Sequence, residues 1–149
     1  MSRILTLAIN PNPILRKKSL IVKPEEIKAL KSLALNMQKT MLKNKGIGLA
    51  APQVGKNIRL IIINTKNGFL TMFNPQINFF SKKQEIGEEG CLSVPETFGN
   101  VERSCEIRVV YLNEKAELIQ LQAQGMLARV IQHETDHLNG ILFIDKLVN

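Results

Sequence analysis

Long apolar runs are missing from this 149-residue chain, and no leader sequence is apparent. No stretch approaches the roughly 18 consecutive apolar residues that a membrane-spanning helix needs. Residues 1–20 contain Arg3, Arg16, Lys17 and Lys18 but no apolar signal-peptide core. The chain has only two cysteines, which without an export signal are poor evidence for a disulfide framework. We therefore expect a cytoplasmic protein with no membrane partner.

Aromatic residues are also scarce, at 5% of the chain, although the formal net charge is +7. The positive excess is confined to the first part. Residues 1–59 carry 12 Lys and Arg against 2 Glu, or +10, and residues 60–149 carry 8 against 11 acidic residues, or −3. A basic face can attract nucleic acid, a ribosome or a membrane, but this one has no Arg-rich tract with interleaved aromatics. A solvated surface is favoured over a dedicated nucleic-acid site.

What the chain does contain is a helical pattern, a series of strand patterns and a second helical pattern, without repeats. Apolar residues spaced three and four apart predict one helix over residues 24–44 and another over 124–138, ending at Asn139-Gly140. Between them, β-branched and aromatic runs predict mostly antiparallel strands at residues 58–64, 69–74, 77–80, 106–112 and 117–121. The predicted class is α+β, in a single domain covering residues 1–149.

Both histidines of the chain fall in one short stretch, QHETDHLNG at residues 132–140. Positions i and i+4 of a helix lie on the same face, so His133 and His137 can point their imidazoles at one metal ion. Glu134 follows His133 about 100° round the helix, where its carboxylate can reach a metal-bound water without being a ligand. This spacing is typical of metallohydrolases and disfavours the alternative, a polar helix face with two solvated histidines.

Two histidines leave a tetrahedral site one protein ligand short. Downstream, the position at which metzincin proteases supply a third histidine is Phe143, and only Asp145 near the end of the chain could ligate. Upstream, Cys91 in the stretch EEGCLSVP offers a thiolate, a strong ligand for borderline or soft divalent ions. Gly90 and Pro95 predict an irregular segment there, between strands. Cys91 is the preferred third ligand, and the alternative is a small buried apolar residue.

A third stretch, GIGLAAPQVG at residues 46–55, contains small residues that let the backbone approach a ligand closely. The side-chain amide of Gln53 in this stretch can donate a hydrogen bond to a developing oxyanion. Alone the stretch is a weak signal, because it could be a glycine-rich turn after the first helix. In this order, however, GIGLAAPQVG, EGCLS and QHETDHLNG closely resemble the peptide deformylases. The resemblance extends from NPNPILRKKS at residues 10–19 to ILFIDKL at residues 141–147.

The resemblance implies the deformylase fold, in which a mostly antiparallel sheet surrounds a central metal-binding HExxH helix, with an N-terminal helix packed on it. It also implies that Cys91, His133 and His137 hold one divalent metal ion. Fe²⁺ is favoured by the family, and Zn²⁺, Ni²⁺ and Co²⁺ are also acceptable to such a donor set. Glu89 and Arg103 are expected to form an ion pair that steadies the cysteine segment.

The resemblance implies three catalytic groups as well. Glu134 would take a proton from the attacking water and deliver it to the leaving amine. The side chain of Gln53 and the backbone N–H of Leu92 would donate hydrogen bonds to the oxyanion of the tetrahedral intermediate. The products would be formate and a free amine.

The family's substrate is the N-terminal formyl-methionine of a nascent polypeptide. Its methionine side chain is expected in an apolar pocket formed by Ile47, Leu92, Met126 and Val130. Its backbone is expected to pair, as a strand does, with Gly48. Such pairing would accept many sequences beyond the first residue.

The chain departs from the family at its end, because it stops nine residues after Gly140. Many bacterial members continue there into a helix that helps them dock on the ribosome. We therefore expect a compact monomeric member without that helix. The basic N-terminal half is then a candidate for transient ribosome contact.

Three alternatives remain. A general metallopeptidase would share HExxH, but the lack of a downstream ligand and the presence of EGCLS argue against it. A structural metal protein or nucleic-acid-binding protein is supported only by the basic half of the chain. A catalytically inactive deformylase-like protein is the third alternative, although all the motif residues are intact.

Overall fold

Residues 3–149 are described by the structure, a computed structural model. Within them, helix α1 spans Lys31–Lys43 and helix α2 spans Gly125–Leu138. The strands are β1 (Gly48–Ala50), β2 (Leu60–Thr65), β3 (Gly68–Phe80), β4 (Gln84–Cys91), β5 (Val94–Ser104), β6 (Glu106–Leu112) and β7 (Leu118–Gln124). No helix in this part of the chain has the length and apolarity to span a bilayer. The predicted α+β class is confirmed.

The strands pair antiparallel in two sheets. Five strands form the larger sheet in the order β1-β2-β3-β6-β7, and β4 and β5 form a separate two-stranded hairpin. β1 is an edge strand, which pairs with β2 through Leu49 and Ile62. The larger sheet therefore ends at the short segment that follows α1 in the sequence.

Strand β2 has a continuous run of apolar residues, so both of its faces can be buried, one under each helix. Side chains of a strand alternate between its two faces. Leu60 and Ile62 belong to the apolar cluster that contains α1, whereas Ile61 and Ile63 belong to the cluster that contains α2. All four are at most 2% exposed. α1 thus packs on the sheet face opposite α2 rather than on α2 itself.

The strands predicted at residues 69–74 and 77–80 are parts of a single strand, β3, which is bent rather than interrupted. Asn74 has a φ of 53°, which asparagine tolerates better than most residues. The register with β6 shifts between Phe73 and Gln76, so a bulge accommodates Pro75. The side chain of Asn74 donates to Val22 O at 2.7 Å and accepts from Val22 N at 2.8 Å. The bend therefore anchors the N-terminal segment to the sheet.

The hairpin of β4 and β5 was not predicted, and the irregular segment expected around Cys91 is confined to a register shift between Gly90 and Cys91 and the turn that follows. Cys91 is the last residue of β4, and a tight turn leads from it to Val94 at the start of β5. The two strands contain four exposed charged residues, and glycines interrupt their apolar pattern. A strand without alternating apolar residues gives no period-two signal.

The first predicted helix begins later than expected. Residues 24–26 and 28–30 form two 3-10 turns, and α-helical hydrogen bonding begins at Lys31. Lys23 N donates to the Glu26 carboxylate at 2.9 Å, which closes the first turn. Such tight turns are common at helix ends. The apolar pattern is continuous through these turns, so the sequence could not separate them from the helix.

Helix α2 ends where the sequence predicted. Gly140 has a φ of 73°, and a Cβ there would lie 2.5 Å from the carbonyl oxygen of Arg16, so only glycine fits. The buried guanidinium of Arg59 donates to Leu138 O and to Asn139 Oδ1, both at 3.0 Å. A cation at this end balances the negative pole of the helix dipole. These contacts fix the helix that carries both histidines.

Candidate metal centre and active site

Three potential metal ligands meet where the end of β4 approaches α2. The donor atoms of Cys91, His133 and His137 all lie within 4.8 Å of one another, and Cys91 Sγ is 3.3 Å from His137 Nε2. Donors bound at about 2.0–2.3 Å in a tetrahedral site lie roughly 3.5 Å apart. One thiolate and two imidazoles are suited to a borderline or soft divalent ion. The residues present therefore fit a single divalent metal.

His133 is oriented by a carboxylate and by an aromatic ring. Its Nδ1 is 2.9 Å from Glu89 Oε1, which places the Nδ1 proton on that bond and leaves Nε2 available to a metal. The ring stacks on Phe143 with centroids 6.2 Å apart. Burial lowers the pKa of His133, but the charge of Glu134 and bonds to Cys91 and Glu89 outweigh burial and raise this pKa to about 10.

His137 is the more deeply buried of the two histidines, at 1% exposure. Its ring meets that of His133 edge to face, with centroids 5.1 Å apart. Burial and then the positive charge of His133 hold the pKa of His137 well below its ordinary value. Its Nδ1 has no hydrogen-bond partner within residues 3–149. His137 is therefore a neutral imidazole, the form that coordinates metals.

Glu89 is the centre of a buried charge network. Arg103 donates to its two oxygens from Nε and Nη2, both at 2.9 Å, which confirms the predicted ion pair. Arg129 adds a third bond, from Nη1 to Glu89 Oε2 at 2.6 Å, and Arg103 also reaches Asp136 at 2.6 Å. Burial would raise the pKa of Glu89, but the bonds from Arg103 and His133 hold it well below its usual range. The carboxylate beside His133 is therefore ionised.

Glu134 lies next to the three potential ligands with one free oxygen. Its Oε2 is 4.0 Å from His133 Nε2, and its Oε1 has no hydrogen-bond partner among the described residues. Burial is the main cause that raises the pKa of Glu134 to about 7. A Cβ at Gly48 would lie 2.5 Å from Glu134 Oε2 and 2.9 Å from Val130 Cγ1. Glycine at position 48 is therefore needed for this carboxylate to occupy its place.

Gln53 points its amide nitrogen at the same site. It lies in a 3-10 turn, Ala51–Val54, and is 2% exposed. Its Oε1 accepts from Ala50 N at 2.9 Å, which leaves Nε2 directed away from the backbone. Nε2 is 3.2 Å from Ser93 Oγ and 3.5 Å from Cys91 Sγ. The amide thus presents N–H donors beside the cysteine.

A cavity of about 700 Å³ opens over Cys91, His133 and Glu134. Its volume is typical of a small-molecule or peptide site. The cavity is lined by all five residues predicted to bind substrate: Ile47, Gly48, Leu92, Met126 and Val130. Val130 is buried, whereas Ile47 and Met126 are 53% and 66% exposed and lie at the mouth. The structure therefore brings the five predicted residues together around one cavity.

Sequence reasoning missed Arg129, which also lines this cavity. A signal for it was present, because Arg129 precedes His133 by four positions and so lies on the same face of α2. Sequence reasoning also missed Phe98, on β5, which is 67% exposed at the rim of the cavity. No motif indicates Phe98, because its strand was not predicted.

Comparison with known proteins identifies relatives of this chain. A family model described as polypeptide deformylase matches residues 4–149. A curated peptide deformylase of Halothermothrix orenii is 46% identical over 139 residues, covering 92% of this chain and 89% of that protein. The match therefore spans nearly the full length of both.

Solved structures agree with the sequence matches. A peptide deformylase from Thermotoga maritima superposes with a TM-score of 0.94 at 40% identity, covering 99% of both chains. A class I type b peptide deformylase from Acinetobacter baumannii, solved with bound Met-Ala-Ser, gives a TM-score of 0.93 at 40% identity. That superposition covers 99% of this chain and 100% of the other. Fold and sequence thus point to the same relatives.

Proposed function

The chain belongs to the polypeptide deformylase family, and from this premise we propose which of its residues perform the reaction. It is a hydrolase that removes the N-terminal formyl group from nascent polypeptides, and it uses a divalent metal. We assign its residues 1–149 to one catalytic domain. The observation that carries the assignment is the meeting of Cys91, His133 and His137 within 4.8 Å, beside the buried Glu134.

Cys91, His133 and His137 hold the metal in this proposal, and Fe²⁺ is the native ion. A thiolate and two imidazoles also accept Zn²⁺, Ni²⁺ and Co²⁺ once the ion has displaced the Nε2 proton of His133, so purified protein is expected to bind any of them. A divalent ion in such a site supplies Lewis acidity and lowers the pKa of water. Glu89 holds His133 in the tautomer whose Nε2 can ligate.

Glu134 carries the proton. Its oxygen without a partner accepts a proton from the attacking water, and the same carboxyl then gives it to the amine nitrogen that leaves. A general base works best when its pKa lies near the working pH, and burial brings the pKa of Glu134 to about 7. Gly48 keeps this carboxylate in place by having no side chain.

Two donors stabilise the oxyanion that forms on the formyl carbonyl oxygen. Gln53 Nε2 is held beside Cys91 by the bond from Ala50 N to Gln53 Oε1. The second donor is the backbone N–H of Leu92, in the turn that follows Cys91. Donors fixed before the reaction need no reorganisation, which is why such sites are effective.

The first residue of the substrate enters the cavity lined by Ile47, Leu92, Met126 and Val130. An unbranched thioether side chain fits such an apolar pocket well. The substrate backbone adds to the outer edge of β1, which has a partner strand on one side only. Gly48 of β1 lies against Glu134, so a peptide paired there has its formyl end at the reacting groups. The bound Met-Ala-Ser of the Acinetobacter baumannii relative is consistent with a methionine-first peptide in this cavity.

We place the enzyme in the cytoplasm, because its substrate is a chain emerging from the ribosome. We also propose that it acts as a monomer. The basic half is proposed to contact the ribosome transiently. Residues 1–59, the basic half, contain 12 Lys and Arg but only 2 Glu and no Asp. Lys17, Lys18 and Lys28 are exposed on the same half. Charge reversal of these three to Glu is expected to weaken cosedimentation with ribosomes while formate release from a free peptide is unchanged.

A matched triple reversal at exposed lysines outside residues 1–59 controls for net charge: Lys82, Lys83 and Lys115. This variant should still cosediment. Unchanged ribosome binding after reversal of the three N-terminal lysines would remove the basic half from the proposal.

The proposed catalytic assignment is tested by formate release from formyl-Met-Ala-Ser. Protein prepared anaerobically with Fe²⁺ should release formate, and Glu134→Gln should lower kcat by about 10²- to 10⁴-fold, the usual contribution of a general base. Glu114→Gln, at an exposed position away from the cavity, should match wild type. Equal inertness of wild type and Glu134→Gln with metal bound would support a catalytically inactive protein. Cleavage of unformylated internal peptide bonds would support a general metallopeptidase.

A further inference from the structure

Arg129 connects α2 to both strands of the β4–β5 hairpin. Its Nη1 donates to Glu89 Oε2 at 2.6 Å and to Val101 O at 3.0 Å, and its Nη2 donates to Glu85 O at 2.8 Å. Its side chain is 12% exposed. One partly buried guanidinium therefore donates to three acceptors on a different part of the fold.

The guanidinium lies flat against β4 at a glycine. Glu85, Gly87 and Glu89 alternate along β4 and so share one face. A Cβ at Gly87 would lie 3.0 Å from Arg129 Cζ and 3.1 Å from Nη2. Such contacts are tighter than ordinary van der Waals distances, so an alanine there would push the guanidinium away. The glycine thus leaves room for the arginine.

Apolar packing does not make this connection. The apolar cluster around α2 is drawn from α2 and the five-stranded sheet, and within residues 3–149 it includes no residue of β4 or β5. The apolar residues of the hairpin instead join a cluster with Leu15, Leu142 and Phe143. The contacts between α2 and the hairpin are therefore mainly polar, and Arg129 supplies three of them.

The two elements that Arg129 joins are the two that supply the metal donors. α2 carries His133 and His137, and β4 ends in Cys91. We propose that Arg129 is a positioning residue that sets metal affinity, by holding β4 at the distance from α2 at which Cys91 can share an ion with the two histidines. This inference rests on the ligand set assigned under the proposed function.

Lysine could not replace Arg129 in this role. The three acceptors lie on two strands, and the planar fork of a guanidinium reaches them from two nitrogens at once. An ammonium is a single point of charge on a flexible stem. Arg129→Lys should keep the charge beside Glu89 and still bind metal less tightly than wild type.

The test is the affinity for Zn²⁺, measured by competition with a chromophoric chelator. Arg129→Met keeps an apolar stem and should weaken Zn²⁺ binding by about 10- to 100-fold, the usual cost of losing a group that orients a metal ligand. Arg108→Met is the matched control, because Arg108 is an exposed arginine that stacks on Phe79 at 4.6 Å. This control should bind Zn²⁺ as wild type does.

A second readout follows the thiolate itself. At saturating Co²⁺, the thiolate-to-cobalt charge-transfer band reports ligation by Cys91, and Arg129→Met should weaken or shift it. A merely structural role would lower the thermal midpoint of the metal-free protein and leave this band unchanged in the folded, loaded protein. An unchanged band together with unchanged Zn²⁺ affinity would overturn the proposal.

Gly87→Ala provides an independent variant that leaves the arginine in the sequence. Because the added Cβ would displace the guanidinium, it should reproduce part of the affinity loss. In the double variant with Arg129→Met, the two losses should not add, because both act through one contact. Fully additive losses would contradict the proposal, and so would a Gly87→Ala variant with wild-type affinity.

The Zn²⁺ competition experiment also distinguishes an error in the proposed ligand set from an error in the role of Arg129. If wild type fails to compete with the chelator, the assignment of Cys91, His133 and His137 is wrong. If wild type binds one Zn²⁺ tightly and the Arg129 and Gly87 variants bind it equally well, only the role of Arg129 is wrong.

Discussion

The five-stranded sheet and the β4–β5 hairpin both contact α2, but they are attached to it by different forces. The sheet contributes fully buried apolar side chains, among them Ile61 and Met72, to one cluster with Ile131 of α2. The hairpin is attached by charged and polar bonds centred on Glu89, which has 5% of its side chain exposed. One interface is apolar and the other is a buried charge network.

The difference teaches how a metal site can be assembled from distant parts of a chain. Apolar burial is strong but has no preferred direction, so it secures the scaffold and α2. Charge-assisted hydrogen bonds have fixed lengths and angles. They are suited to setting the position of Cys91, on the hairpin, relative to two histidines on the helix. The stability of the scaffold and the geometry of the metal site should therefore respond to different substitutions.

Removing the charge of Glu89 should produce the largest effect, because it would lower both the stability of the fold and the affinity for metal. Glu89→Gln leaves Arg129 without its buried counter-charge and Arg103 with Asp136 alone, and removing one partner of a buried charge network typically costs about 3–5 kcal/mol. Urea unfolding of the metal-free protein measures this loss, and Zn²⁺ competition should show weaker binding because His133 loses its ionised acceptor. If the free energy of unfolding falls by no more than the loss of an exposed ion pair would cause, the charge network is not needed for stability.

Truncation in the apolar interface should affect stability alone. Ile61→Ala removes a fully buried side chain and should cost about 2–5 kcal/mol. Because Ile61 belongs to the apolar cluster of α2 and the five-stranded sheet, the folded variant should retain wild-type Zn²⁺ affinity. A large fall in affinity, measured below the unfolding transition, would mean that the two interfaces are not independent.

The charge network should also make stability depend on pH. The pKa of Glu89 is held well below its value of about 4.3 in an unfolded chain. Its stabilising contribution is therefore complete above that unfolded-state pKa and is lost as pH falls toward the folded-state value, by up to about 1.4 kcal/mol per pH unit. The stability gap between wild type and Glu89→Gln in urea unfolding should narrow below about pH 4. A constant gap would show that the pKa of Glu89 is the same in the folded and unfolded states.

The smallest effect is expected at a charge pair outside both interfaces. Arg16 and Asp145 form an ion pair, but their side chains are 44% and 37% exposed. Water screens such a pair, and its coupling energy should be about 1 kcal/mol or less. A double-mutant cycle with Arg16→Met and Asp145→Asn measures it. The same cycle on Glu89 and Arg129 measures the coupling of a buried pair. Equal coupling energies for the two pairs would remove the distinction between exposed and buried charge.

The sequence predicted the parts of the fold that follow from local pattern. Helix α2 and its end at Gly140 were predicted within one residue, because apolar spacing and the glycine are both local signals. Strands β2, β6 and β7 were predicted from their β-branched residues. β1 and the hairpin were not, because a three-residue edge strand and two exposed, glycine-containing strands carry little periodic signal.

The sequence by itself determined the pairing of His133 with His137 and the place of Glu134 beside them, because the helix repeat fixes residues that are close along the chain. Only the tertiary structure decided how Cys91, 46 positions before His137, comes within 3.3 Å of it. It also decided that Gly48 leaves room for Glu134 and Gly87 leaves room for Arg129. Distances between such remote residues depend on how whole elements pack, and no local pattern encodes that packing.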